Sequence, residues 1–175
     1  MIQAYVFSIG EPTTDLCLEA LNRNGIDAVL YQSPSSFAEK YKTLMTTAKP
    51  PFLRVDADII VNHRVQEYLE KALDWSCPYG WVWWQQDLQP ISVMYYSEKV
   101  VELIKPHLND EVFNTAVRPE QYMWSLPEMQ GKNHKINIPV GLKGYGVREL
   151  EPVVSRKNAR GQSYDWGWIV ELNNL

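Results

Sequence analysis

The first 62 residues alternate between two hydrophobic periods, and this alternation narrows the possible folds more than any other feature. Ala4 to Ile9 reads as a strand, and Gly10-Glu11-Pro12 turns the chain. Thr13 or Thr14 caps a helix with Asp15 in its first turn and Leu16, Leu18 and Leu21 along one side, and Gly25 ends it. Asp27 to Tyr31 is a second strand. Ser35 or Ser36 then caps a helix to about Lys49, with Phe37, Tyr41, Leu44, Met45 and Ala48 at helical spacing. Pro50-Pro51 ends it, and Phe52 to Val61 is strand-rich again. A β-α-β-α-β order predicts parallel strands joined by right-handed crossovers, with ligands outside the carboxyl ends of the strands.

The third strand carries an anomaly. Asp56 and Asp58 interrupt a run of Phe52, Leu53, Val55, Ile59, Ile60 and Val61. Such strands are usually buried, and a carboxylate there must be paired, protonated or on a metal. Two carboxylates at one strand end suit a hard divalent cation that shares its shell with substrate phosphates. A second reading makes them turn and cap residues satisfied by backbone donors. The first loop, Ile9 to Pro12, is expected to face the same crevice. Arg54 is expected to pair with a carboxylate or a phosphate.

Beyond this, Asn62 or His63 starts a helix through about Leu73, and Pro78-Tyr79-Gly80 breaks the chain. Trp81 to Trp84 and Ile91 to Tyr96 read as strands, and Ser97 caps a helix ended by Pro106. Asn109 to Pro119 reads as irregular. Pro119 opens a helix with Glu120 in its first turn, ending near Gly131. Lys135 to Val140 is a last strand, and Gly141, Gly144 and Gly146 form a turn from which Lys143 could reach a diphosphate. The expectation is one α/β domain of three layers (α/β/α) with a mostly parallel central sheet of about six strands. The chain would divide into residues 1–62, 63–150 and a tail of 151–175.

Ser36 to Asn62 resembles the helix and the "F-L-D-A-D" strand of the GT-A nucleotide-diphospho-sugar transferases, especially small family-two glycosyltransferases. Arg118-Pro119-Glu120-Gln121-Tyr122-Met123-Trp124, followed by Ile136-Asn137-Ile138-Pro139, resembles that family's "P-E-D" helix and the strand after it. The resemblance implies a GT-A fold and metal-dependent, hexosyltransferase-like transfer of sugar from a UDP- or GDP-sugar to a sugar or glycan hydroxyl, with inversion. Asp58 would ligate Mn²⁺ or Mg²⁺ in a DXD motif, with Ala57 between it and Asp56, and Asp56 would assist through the ribose or the metal. Glu120 would be the catalytic base. Ser8, Ile9 and Glu11 would contact base and ribose. Tyr31, where the family has an acidic pair, would stack on the base, and Lys42 stands where the preceding helix has an asparagine on the donor side. His134 is the candidate third metal ligand. The Glu-Asp pair of the family reads Glu120-Gln121 here.

Composition excludes some alternatives. A net charge of −4 opposes a nucleic-acid backbone as partner. No apolar run reaches the roughly 18 residues that span a bilayer, and the first residues read as a strand, so a cytoplasmic protein is expected. Cys17 and Cys77 have no metal or redox spacing and read as reduced thiols. His63 and His107 read as structural, and the tryptophans as core or a sugar platform. Two other functions stay open: a GT-A-like module that binds a nucleotide or glycan without turnover, and a nucleotidyltransferase. The second normally has glycines with Arg and Lys after the first strand, and Ser8-Ile9-Gly10-Glu11 has neither base.

Overall fold

The computed structural model describes residues 2–11, 13–32, 35–72, 77–84, 87–116, 119–130, 133–143, 156–157 and 163–164; in 77–84, 87–92, 133–135, 137, 139, 142–143 and the last two pairs only the backbone is described. The chain begins β1 (Gln3–Ser8), α1 (Thr14–Arg23), β2 (Asp27–Gln32), α2 (Phe37–Thr47) and β3 (Phe52–Asp56). It continues with β4 (Ile59–Val61), α3 (Val65–Ala72), β5 (Cys77–Trp84), β6 (Asp87–Tyr96), α4 (Glu98–Ile104), α5 (Glu111–Thr115), α6 (Pro119–Ser125) and β7 (Asn133–Lys143). A separate two-stranded pair joins β8 (Arg156–Lys157) to β9 (Ser163–Tyr164).

Seven strands form one sheet in the order β2-β1-β3-β6-β5-β7-β4. β1 runs parallel to β2 and β3, and β5 parallel to β7, while β6 and β4 run against their neighbours. Five strands therefore share one direction, and the sheet is mixed but mostly parallel. Alternation along each strand feeds two cores. Ala4, Val6, Leu53, Val55, Val93 and Tyr95 pack under α1 and α3 with Cys17, Leu21 and Tyr68. Tyr5, Phe7, Phe52, Met94 and Tyr96 pack under α2, α4, α5 and α6 with Tyr41, Leu44, Val101, Phe113 and Met123. The layers are α/β/α, as the periodicity requires.

The β-α-β-α-β start holds, with local chemistry fixing its ends. Ser36 accepts from the Glu39 N–H while Glu39 accepts from the Ser36 N–H, a reciprocal cap on α2. Gly25 takes a φ of 74° after α1, the left-handed region open to glycine. Four segments differ from expectation. The acidic run is two strands, because β4 leaves β3 and pairs with β7 at the far edge. β5 runs through Pro78 to Gly80, and the ladder absorbs the glycine as a register shift between Tyr79 and Trp81. Glu111–Thr115 is a short helix inside the segment read as irregular, seated by buried Phe113. Gly141 lies within β7, not in a turn: a Cβ there would meet Val61 Cα at 2.8 Å and Ile60 O closer still, so only glycine permits the β4–β7 approach.

Candidate functional site

The site lies at the carboxyl ends of β1 and β3. The Ala57 N–H donates to Phe7 O (3.0 Å), extending the β1–β3 ladder by one bond into the aspartate turn. Thr13 Oγ1, at the mouth of α1, donates to Ala57 O (3.0 Å), and Cys17 Sγ donates to Asp56 O (3.6 Å). The turn is thus tied by its backbone to both the first strand and the first helix.

Strand pleating decides where the carboxylates go. Phe52, Arg54 and Asp56 share one face of β3, under α2 and α6. Arg54 is 1% exposed, at a position where an apolar residue is normal, and its guanidinium pairs with Asp56 Oδ1. Its carbon centre lies 5.2 Å from the ring centroid of Phe7, 5.5 Å from Phe37 and 5.4 Å from Tyr41. Each desolvated cation–ring contact of this kind stabilises by about 1–2 kcal/mol. Burial pulls the guanidinium's pKa down, but the Asp56 carboxylate, then Tyr41 and Glu120, push it up, and the net shift is upward. Burial also pushes the Tyr41 hydroxyl up. Asp58, in the turn itself, is 6% exposed. Its charge is felt on the other side of the sheet, where burial first, then Asp58 and Asp56, raise the Cys17 thiol. That thiol is buried and unreactive.

Glu120, on the first turn of α6, is buried and comes within electrostatic reach of Arg54 and Tyr41. Its Oε2 has no hydrogen-bond partner among the described residues. A buried carboxylate oxygen lacking a donor costs about 1–3 kcal/mol.

The first loop is closed on itself. Glu11 Oε2 accepts from Ser8 Oγ (2.7 Å) and from the Ile9 N–H (2.8 Å), and the Gly10 N–H donates to Ser8 Oγ (2.9 Å). Lys40 Nζ donates to Ser8 O (2.6 Å) from beneath. Burial lowers the lysine's pKa, against the opposing pull of Glu11. Ile9 stands out at 70% exposed.

The structure therefore gathers Ser8, Ile9, Glu11, Asp56, Ala57, Asp58 and Glu120 about one sheet edge. Tyr31 stands beside it, stacked 6.0 Å from Phe7 with its hydroxyl 3.3 Å from Thr47 Oγ1. Two expected members are not brought in. Lys42 Nζ donates to Asn109 Oδ1 (2.6 Å) and has no bond to the first loop. The lysine that reaches the loop is Lys40, and the sequence held the signal: it is the charged member of the helical stripe 37, 40, 41, 44, 45, 48. His134 opens β7. Arg54, Met94, Tyr79 and Lys135 form one row across β3, β6, β5 and β7, which puts the His134 backbone three strands from β3, while β7 meets the segment after the turn only at its other end, where Lys143 pairs with Ile59. His134 is thus too far for one ion to join it to the aspartates; its side chain lies outside the described residues, as does that of Cys77. Lys143 pairs with Ile59 beside the turn, though its side chain too lies outside the description. Arg54 was expected to pair, and does.

Among the described residues no group of three or more His, Cys, Asp or Glu side chains is arranged to hold a metal. A divalent cation here would take Asp58 and the second oxygen of Asp56 as a partial shell, with phosphate oxygens and water supplying the rest.

No sequence family and no curated protein matches this chain. Solved structures do. A197 from STIV aligns with a TM-score of 0.57 at 12% identity over 78% of this chain and 82% of that one. HddC from Yersinia pseudotuberculosis, complexed with GMP-PN, aligns at 0.52 with 13% identity over 79% and 91%. A CMP:2-keto-3-deoxy-manno-octonic acid synthetase complexed with CTP aligns at 0.50 with 10% identity over 81% and 91%. At such identities the likeness is one of fold. The chain has the fold of the nucleotide-diphospho-sugar transferases, a fold that nucleotidyltransferases share.

Proposed function

We propose that this protein transfers a sugar from a nucleotide-diphosphate sugar to an acceptor hydroxyl, with inversion, using Mn²⁺ or Mg²⁺ held by Asp58 and Asp56. The observation that carries this reading is the aspartate turn, tied through Ala57 to the end of β1 and through Thr13 to the start of α1. These bonds hold the turn's backbone against the end of β1 and the start of α1, and a nucleotide's diphosphate and ribose would lie beside it. The cation would offset charge on the departing diphosphate. Ser8, Ile9 and Glu11 would contact base and ribose, with Tyr31 at the side. Glu120 would take the acceptor's proton, and its unsatisfied Oε2 suits that role. Residues 1–62 would then hold the donor and 63–150 the acceptor.

The neighbours that carry GMP-PN and CTP support a nucleotide as partner. A nucleotidyltransferase is the second reading, and the first loop weighs against it. A triphosphate there needs free N–H donors, whereas the Ile9 N–H is bonded to Glu11 and the Gly10 N–H to Ser8.

The test is thermal unfolding with UDP, GDP and CDP, each with and without Mn²⁺. Metal-dependent stabilisation by at least one nucleotide, lost in Asp58→Ala, is expected; no shift with any of the three would sink the proposal. Donor hydrolysis then separates enzyme from binding module. A sharp loss in Glu120→Gln is expected, and equal rates would remove Glu120 from the mechanism.

A further inference from the structure

A buried arginine beside a cation site needs an explanation, because it occupies space an apolar side chain would fill and repels the ion. Arg54 is walled by Phe7, Phe37 and Tyr41, paired to Asp56, and 1% exposed. It is too deep to touch a substrate. What it does touch is an oxygen of a candidate metal ligand. This inference rests on the cation reading above. We propose that Arg54 is a positioning residue that engages one oxygen of Asp56 and weakens the turn's hold on a bare divalent cation.

Arg54 sets a buried positive charge against Asp56 and engages one of its oxygens. A dication entering alone would meet that charge, an Asp56 oxygen already taken, and no group of three or more His, Cys, Asp or Glu ligands among the described residues. Such a site is starved of both charge and donors. A diphosphate brings both, so the cation enters as part of the donor complex and leaves with the nucleoside diphosphate. The aromatic box makes the arrangement rigid: the guanidinium cannot swing away when the ion arrives, since three rings hold it in place.

The consequence is unusual in sign. Removing Arg54 should tighten binding of Mn²⁺ alone, whereas a merely structural role predicts weaker binding or none. Mn²⁺ would be titrated without nucleotide into the wild type, Arg54→Met and Arg54→Lys, reading the free hydrated ion by electron paramagnetic resonance, with circular dichroism as the check on folding. R54M is expected to bind Mn²⁺ at least about fivefold more tightly than the wild type. R54K, which keeps the charge but loses the planar fork, should fall between them. Adding Asp58→Ala to R54M should abolish the gain. A folded R54M with equal or weaker affinity overturns the proposal, and so does a gain that survives D58A. Should R54M not fold, R54K alone decides, and affinity no tighter than the wild type's overturns it. Repeating the wild-type titration with UDP, GDP and CDP judges the sugar-transfer reading separately: no tightening by any nucleotide sinks that reading, while the metal-alone order still judges Arg54.

Discussion

Arg54 and Asp56 do not share their burial equally, so losing one should not cost the same as losing the other. The arginine side chain is 2% exposed and the aspartate 22%. Asp56→Ala strands a positive charge in an aromatic box, and about 3 kcal/mol of stability should go. Arg54→Met fills the same space and leaves a carboxylate that still meets water, so its cost should be smaller, about 1–2 kcal/mol. Urea unfolding of the two variants measures the difference; equal or reversed losses would show that Asp56 is not the arginine's main counter-charge. Gly141 carries a second residue-scale constraint. Gly141→Ala puts a methyl against the backbone of Ile60 and Val61 and should cost about 1–3 kcal/mol, seen as a lower urea midpoint with an unchanged slope. An unaffected midpoint would mean that β4 and β7 can part freely. The sequence marks Arg54 as a pairing charge but not its burial among three rings, and it places Gly141 in a turn and not in a strand. Arg54 reads as one charge in a strand, and Gly141 as one glycine in a cluster of three.

Elements were legible where their patterns are local. The cap and stripe of α2 and the β-α-β-α-β order follow from spacing within a few residues, whereas Thr13 puts no side-chain cap on α1 and donates to Ala57 O instead. Glu111–Thr115 was not legible, because a five-residue helix shows only one inward side chain, Phe113. That helix belongs to a clasp. Tyr122 Oη, on α6, donates to Asp110 Oδ2 (2.8 Å) at the head of α5, and His107 Nδ1 lies 3.0 Å from the same oxygen. The Tyr122 hydrogen bond, then that of His107, hold the Asp110 carboxyl below its ordinary value of 3.8. A depressed carboxylate stabilises the fold above its unfolded value and loses that contribution as pH falls through the folded one. Tyr122→Phe should therefore lower the melting temperature by a constant amount above pH 3.8, and the gap to wild type should shrink below it. A gap independent of pH into the acid range would show that Asp110 is not the group responsible. The clasp matters to function because α6 also carries Glu120.

At the scale of the whole molecule, the donor complex should stabilise a fold whose site joins two strands and two helices. With a nucleoside diphosphate and Mn²⁺ at about a hundred times their dissociation constant, the gain is about 2.7 kcal/mol. For a chain of this size that is roughly 5–10 °C in melting temperature. Calorimetry reads it directly, and a gain that persisted in Asp58→Ala would place the ligand elsewhere. The sequence by itself determined the alternation of strands and helices through residue 62, the aspartates at a strand's carboxyl end, and Glu120 at a helix start. These depend on neighbours a few residues apart, which spacing and caps report. Tertiary structure alone decided that β4 crosses to the far edge of the sheet. It decided that Lys40 and not Lys42 meets the first loop, that His134 sits three strands from the aspartates, and that Glu120 comes to rest near Arg54. The physical reason is that Ile59–Val61 reads from its own residues as more of the same strand, while its pairing partner, Gly141–Lys143, lies far along the chain. The choice falls to distant partners, chiefly the glycine in β7 that lets β4 in.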